Sequence, residues 1–280
     1  MRILVTNDDG YKARGIQVLV DMLRPFGEIT VIAPKYHQSG TSMAVTMGLK
    51  PIAVKRLPDH DGVRWFYVDG TPASCVKYGT DEVFAGNLPD LVVSGINHGA
   101  NCASAVLYSG TLGAAKEAAL AGIPAIGVSL DDMSPDADFS CMEDIFPELF
   151  RQLLGEMDGR FGEYYNVNFP ALPASGIKGI RTASQGIIHW EKEFEPYDYR
   201  IFDRLGISHR DMGITALPEL EEGETAYIMK GELVNDPRNG EHADHTLLKQ
   251  GYITVSGHNI DSTDIAENAR LKAQGIEKDF

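Results

Sequence analysis

Arg2-Ile3-Leu4-Val5-Thr6-Asn7-Asp8-Asp9-Gly10 is the stretch from which the fold is read. Its apolar run reads as a short buried strand, and Gly10 as the turn that ends it. Two adjacent carboxylates at the C-terminal end of a first strand stand where open parallel sheets bind ligands. Side by side they repel each other, and a bound cation relieves that repulsion. Neighbouring side chains on a strand point to opposite faces, so both converge on one ion only if the backbone turns, which Gly10 permits. Asp-Asp-Gly is also an ordinary turn sequence. The rest of the chain decides between the two readings.

Outward from this stretch, strand-like and helix-like segments alternate over roughly the first 130 residues. Ile16, Leu19, Val20 and Leu23 recur at helical spacing within Gly15–Phe26, and Glu28–Pro34 reads as a second buried strand. Residues 35–48 read as a loop or hairpin, with Met43 and Met47 alternating on a strand and packing inward. Pro51–Val68 reads as two strands around Asp59-His60-Asp61-Gly62. Thr71-Pro72 supplies an N-cap and a first-turn proline for a helix over 72–80. Leu88–Gly95 is a further strand, Thr111–Ala121 an alanine-rich helix closed by Gly122, and Ile123–Leu130 the next strand. This rhythm predicts an α/β fold, a mostly parallel sheet with helices on both faces.

Beyond residue 130 the pattern changes. Phe139–Met157 reads as a helix, Tyr164–Pro170 and Gly251–Ser256 as strands, and Thr263–Gln274 as a closing helix. The segment 185–240 is too long for a simple loop and predicts an extension with its own strands. The acidic run Glu219–Glu224 within it reads as a solvated loop. The expected organisation is an α/β catalytic core over 1–184, a strand-rich extension over 185–260, and a C-terminal helix within 261–280 that packs back on a core.

The chain has 280 residues, 43% of them hydrophobic and 23% charged, which is ordinary for a globular protein with a sizeable core. No run approaches the length of a membrane span, and the strand-like start is unlike a signal peptide, so the expected location is the cytoplasm. Cys75, Cys102 and Cys141 form no metal-spaced pair, and their odd number argues against a disulfide framework. The formal charge of −15 disfavours a nucleic-acid backbone as partner. It would also repel a phosphate ester, which therefore needs a local cation or oriented backbone dipoles.

Five polar clusters follow predicted strands or open a helix: Asn7–Gly10, Pro34–Gly40, Asp69–Ala73, Ser94–Asn101 and Ser109–Thr111. Loops after successive parallel strands emerge at one edge of the sheet, so these clusters can meet. Two carboxylates, the Ser39 hydroxyl and the Asn97 amide oxygen form an all-oxygen set suited to Mg²⁺, Mn²⁺ or Ca²⁺ rather than zinc. Ser109-Gly110-Thr111 offers free backbone N–H groups and the positive end of a helix to a phosphate, besides being a good N-cap. His37 and His98 read as solvated loop histidines, and Asp69 as a residue that structures its turn. His242, Asp244 and His245 read as a chance cluster, and nothing marks Cys102 as a nucleophile.

Taken in order, Thr6–Gly10, Pro34 with Gln38-Ser39-Gly40, Asp69–Pro72, Asp90–Asn97 with Gly99 and Asn101, and Ser109–Thr111 with Ala114, Ala115 and Glu117 resemble the SurE family. These are stationary-phase survival proteins that act as metal-dependent nucleoside monophosphate phosphatases. The resemblance covers residues 1–130 strongly and the remainder more weakly. It implies a Rossmann-like core and a C-terminal extension that exchanges between subunits, giving a homodimer or homotetramer. It implies that Asp8, Asp9, Ser39 and Asn97 hold one divalent cation, Mg²⁺ or Mn²⁺, and that Asn101, Ser109, Gly110 and Thr111 lie against the substrate phosphate. Asp8, Asp9 and Asn97 are then the expected catalytic residues of a 5′-nucleotidase acting on nucleoside monophosphates, with no membrane partner. Two other readings begin from the same acidic pair. A haloacid-dehalogenase-like phosphatase would use an aspartate nucleophile, but its second aspartate stands two residues on, not adjacent. A non-enzymatic receiver-like module would bind Mg²⁺ and use Asp69 as phosphoacceptor.

Overall fold

A computed structural model describes residues 1–48, 50–198, 200, 204, 219–229 and 231–278. The N-terminal strand β1 (Arg2–Thr6) lies in the interior of a nine-stranded sheet. It pairs in parallel with β2 (Glu28–Pro34) on one side and β5 (Leu91–His98) on the other. β4 (Arg64–Val68) extends the sheet beyond β2, and β6 (Ala125–Leu130) and β7 (Glu163–Phe169) extend it beyond β5, all in parallel. Counting only these six strands, the spatial order is third, second, first, fourth, fifth, sixth. That is the doubly wound dinucleotide-fold order, whose crevice opens where the winding reverses, between β1 and β5.

Burial on both faces explains why β1 is apolar at successive positions rather than alternately. Ile3 and Val5 point into a core with Ile16, Leu19 and Leu23 of α1 (Arg14–Leu23) and Phe146 and Phe150 of α4 (Ser140–Glu156). Leu4 points the other way, into a core with Val76 of α2 (Pro72–Tyr78) and Leu112, Ala115 and Ala118 of α3 (Gly110–Leu120). Thr71 caps α2 by accepting from the Ser74 amide, as its sequence predicts.

The hairpin expected around residues 59–62 joins β3 (Val54–Arg56) to β4, antiparallel at one sheet edge. No strand carries Met43 and Met47; Met47 is 82% exposed and does not pack, a correction to the alternating pattern. At the other edge the sheet takes back residues assigned by sequence to the extension. β13 (Ile253–Asn259) inserts antiparallel to β7 and parallel to the short β8 (Ile180–Thr182). Between them stand two antiparallel ribbons, β9 (Ile188–Glu191) with β12 (Glu232–Asn235), and β10 (Phe194–Pro196) with β11 (Tyr227–Met229). Residues 205–218 of the expected extension lie outside those described, and the run 219–224 is exposed. The closing helix runs Ile265–Ala273, but none of its residues is buried, so it does not pack back on this chain's core.

Candidate active site

At the end of β1 the Asn7 side chain closes a tight turn, donating from Nδ2 to the Gly10 carbonyl (3.0 Å) and accepting from the Gly10 amide (3.2 Å). Gly10 sits at φ +99°, a conformation that side chains other than hydrogen rarely adopt. The turn separates the two carboxylates. Asp8 is buried and faces α3, while Asp9 leans toward β5 and the loop after β2. That loop is held by the Gln38 amide, which donates to the Asp8 carbonyl (2.7 Å) and brings the exposed Ser39 to the same cavity as Asp8.

β5 contributes through an irregularity. Its register with β6 shifts between Ser94 and Asn97, the kind of bulge that re-aims a side chain beside a site. Asn97 is buried, and its Nδ2 donates to the Gly99 carbonyl (2.6 Å), which leaves the amide oxygen as the group for a ligand. The next residue, His98, donates its backbone amide to Oδ2 of Asp9 (3.2 Å), while its ring Nδ1 bonds the Ser134 carbonyl. Asn101 is fixed from beneath. Its amide donates to Oδ1 of Asn168, its Nδ2 to the Ser129 hydroxyl, and its carbonyl accepts from Asn166 and Asn168.

The N-terminus of α3 closes the site. The Ser109 hydroxyl accepts from the Leu112 amide, capping the helix (3.0 Å). The Gly110 and Thr111 amides begin the helix and have no intrahelical acceptor. Gly110 must be glycine for space: a Cβ there would stand 2.8 Å from the Asp8 Cβ and 2.9 Å from its Oδ2. The Thr111 side chain is fully buried, and its hydroxyl donates to Oδ1 of Asp8 (2.5 Å). The hydroxyl therefore orients the carboxylate, and only the Thr111 amide is left for a phosphate.

Burial first, then the charge on Asp9, push the Asp8 carboxyl up to about 7, against the opposing effects of Thr111 and His37. His37 is half-buried with Nδ1 3.3 Å from Asp9 Oδ1, and so is not the merely solvated residue expected from its loop. Burial opposes its charged form, but the hydrogen bond and charge of Asp9, with the charge of Asp8, outweigh it and raise the imidazole pKa. Among the described residues no group of three or more His, Cys, Asp or Glu side chains is gathered so as to hold a metal ion. A cation beside the acidic pair would thus need neutral oxygens as well.

Asp8, Ser39, Asn97, Asn101 and Ser109 line one cavity of about 430 Å³. Asp9 adjoins it through the His98 amide, and Gly110 and Thr111 adjoin Asp8; these three are not among the lining residues. Asp69 does not line it; its carboxylate pairs with Lys35 (3.2 Å). Cys102 does line it, but burial, with the charges of Asp244 and Asp131, holds its thiol well above the ordinary range. Three side chains that support the site were missed by sequence. Asn166 and Asn168 could have been noticed as two amides spaced i, i+2 inside an apolar strand. Asp244, read as part of a chance cluster, is fully buried and accepts from the amides of Ala103, Gly186 and His245. It thereby ties the C-terminal segment to the loop that leads into α3, and nothing in its neighbours signals this.

The family model for survival protein SurE matches residues 3–192. A 5′-nucleotidase SurE of Cytophaga hutchinsonii is 41% identical over 216 residues, covering 75% of this chain and 83% of the relative. Another, from Christiangramia forsetii, is 36% identical over 265 residues, covering 93% of this chain and 92% of the relative. The crystal structure of the SurE protein from Aquifex aeolicus superposes with a TM-score of 0.75 at 27% identity, over 98% of this chain and all of that one (100%). With the doubly wound order, the acidic turn after β1 and the capped helix α3 on the same crevice, this chain belongs to the SurE family.

Proposed function

We propose that this chain is a 5′-nucleotidase that hydrolyses nucleoside monophosphates to nucleoside and phosphate with the help of one divalent cation. The observation that carries the reading is the meeting of Asp8, Ser39 and Asn97 with the N-terminus of α3 at a single cavity. Relatives that bear the name 5′-nucleotidase support the choice of substrate.

The residues fit an oxygen-ligated cation. Asp8 is buried beside a second carboxylate and, without a counter-charge, its ionised form is disfavoured. Asp8, Asp9, Ser39 and Asn97 offer hard oxygen donors with only two formal charges, a set that suits Mg²⁺ or Mn²⁺. When bound, such a cation neutralises phosphoryl oxygens and acidifies water.

The protein's own residues do the rest. The amides of Gly110 and Thr111, at the positive end of α3, donate to the equatorial oxygens of the phosphoryl group where charge develops. Ser109 can donate its hydroxyl proton to the same group while its oxygen caps the helix. Asn101, locked by Asn166, Asn168 and Ser129, holds the loop against the phosphate. These local dipoles overcome the repulsion expected from a chain of net charge −15.

The test is turnover of AMP and the other nucleoside monophosphates by protein stripped with EDTA and resupplied with Mg²⁺ or Mn²⁺. Asp8→Asn and Asp9→Asn should each abolish most turnover while circular dichroism stays unchanged. Retention of most activity by either variant at saturating metal would falsify the assignment. Acid-quenching with labelled substrate separates direct attack by water from an aspartyl-phosphate route.

The ribbon β10–β11 carries exposed Phe194, Tyr227 and Met229. Such surface supports assembly of a homodimer or homotetramer through this region, testable by light scattering. Among the described residues no helix is long and apolar enough to cross a membrane, and the cytoplasm is the proposed location.

A further inference from the structure

The cavity does not end at the phosphate loop. Its far wall is the ribbon β9–β12, whose register pairs Ile188 with Asn235 and Trp190 with Leu233. Directly paired residues share a face, and all four line the cavity that contains Asp8. The alternate pairs, His189 with Val234 and Glu191 with Glu232, fall on the other face and are absent from the lining.

Two-stranded ribbons are marginal by themselves, but this one is anchored at its root. The Ile188 amide donates to the Ser104 hydroxyl (3.1 Å), beside the phosphate loop. Asn239 bonds both the amide and the carbonyl of Ile187 (2.7 and 2.6 Å). The wall therefore has a fixed place relative to Ser109 and α3, as substrate recognition needs.

Two groups on the wall have chemistry suited to a nucleoside. Trp190 keeps 40% of its surface exposed, while Gly231 lies against its indole, where a Cβ would stand 3.1 Å from Cε3. One flank of the ring is thus propped by backbone. Asn235 accepts at Oδ1 from His245 Nε2 (2.7 Å) and from Asn239 Nδ2 (2.8 Å). With its oxygen doubly engaged, its NH₂ is the group left for a ligand, and it demands an acceptor.

We infer that the β9–β12 ribbon forms the nucleoside end of the cavity, with the Trp190 indole as a platform for the base and the Asn235 amide, oriented by His245, as donor to a base or ribose acceptor. The inference rests on the nucleotidase reading for the phosphate end and adds the residues that would set preference for the rest of the substrate.

Kinetics with AMP, GMP, CMP and UMP are compared with ribose 5-phosphate, which lacks the base. Trp190→Ala should raise KM for the nucleotides about tenfold or more, leave kcat little changed, and leave ribose 5-phosphate kinetics unaltered. Trp190→Phe should restore most of the loss. Trp65 is the other tryptophan and lies in the core, so in Trp65→Phe the emission reports Trp190 alone. Adenosine and guanosine, titrated without metal, should change that emission saturably. KM values for nucleotides and ribose 5-phosphate that move together, or a Trp190 emission indifferent to both nucleosides, would overturn the inference. If the wild-type chain turned over no phosphate ester, the nucleotidase reading would fail separately, and the nucleoside titration alone would decide this subsite. The same titration decides it if Trp190→Ala does not fold.

Discussion

The Thr111 hydroxyl donates to Oδ1 of Asp8 at 2.5 Å, so the helix proposed to offer its amides to a phosphate also aims the carboxylate beside it. Thr111→Val keeps the shape and removes the donor. A hydrogen bond to a charged group contributes about 1.5–3 kcal/mol, so kcat/KM should fall by roughly 10- to 100-fold. Mn²⁺ affinity measured calorimetrically should weaken alongside, and Thr111→Ser should recover both. Equal activity in Thr111→Val would show that the bond does not orient Asp8.

Gly110→Ala tests the closeness of α3 to the acidic turn. The added methyl meets the Asp8 Cβ at 2.8 Å, and overpacking of this kind costs about 1–3 kcal/mol. The urea midpoint should drop with the slope unchanged, and metal affinity should fall further than stability does. A variant with wild-type metal binding would mean that the helix end can retreat without disturbing the site.

The pH dependence follows from Asp8. Its carboxyl ordinarily titrates near 3.8 and is pushed to about 7 in the folded, metal-free protein. A raised folded pKa contributes stability below the unfolded value, and that contribution is lost as pH rises through the folded one. Metal-free wild type should therefore lose stability relative to Asp8→Asn between about pH 4 and 7. Cation binding competes with the proton, so Mn²⁺ affinity should rise by about tenfold per pH unit up to about 7 and then level off. Calorimetric titrations across this range check the slope; a flat profile would mean that Asp8 is already ionised.

Much of the core was legible because its determinants are local. A central strand buried on both faces must be apolar at Ile3, Leu4 and Val5, and a helix entered from Ser109 or Thr71 needs a cap. The acidic turn could be seen for the same reason. What escaped was set by partners distant in sequence. Asn166 and Asn168 lie in β7 only because Asn101 comes to meet them. β13 could not be placed in the main sheet from its own residues, since its neighbours β7 and β8 are chosen by packing. In the β9–β12 ribbon only β9 alternates, as Ile188-His189-Trp190-Glu191, while Glu232-Leu233-Val234-Asn235 of β12 does not, because the shared face lines a cavity rather than a core.

Asp244→Ala should destabilise the frame around the site. It leaves the buried amides of Ala103 and Gly186 without their acceptor, and each such loss costs about 1–3 kcal/mol. The midpoint in urea should fall accordingly, and hydrogen exchange should quicken at Ala103 and Gly186 before it does in β1. Unchanged exchange at those two amides would dismiss the clamp.

That clamp spans 141 positions, from Ala103 to Asp244. Every proposed ligand for the cation precedes residue 98, and the whole phosphate loop precedes residue 112, so a nascent polypeptide carries the full chemical inventory early in its synthesis. The buried acceptor that ties the Ala103 loop in place, Asp244, is added only long after those residues.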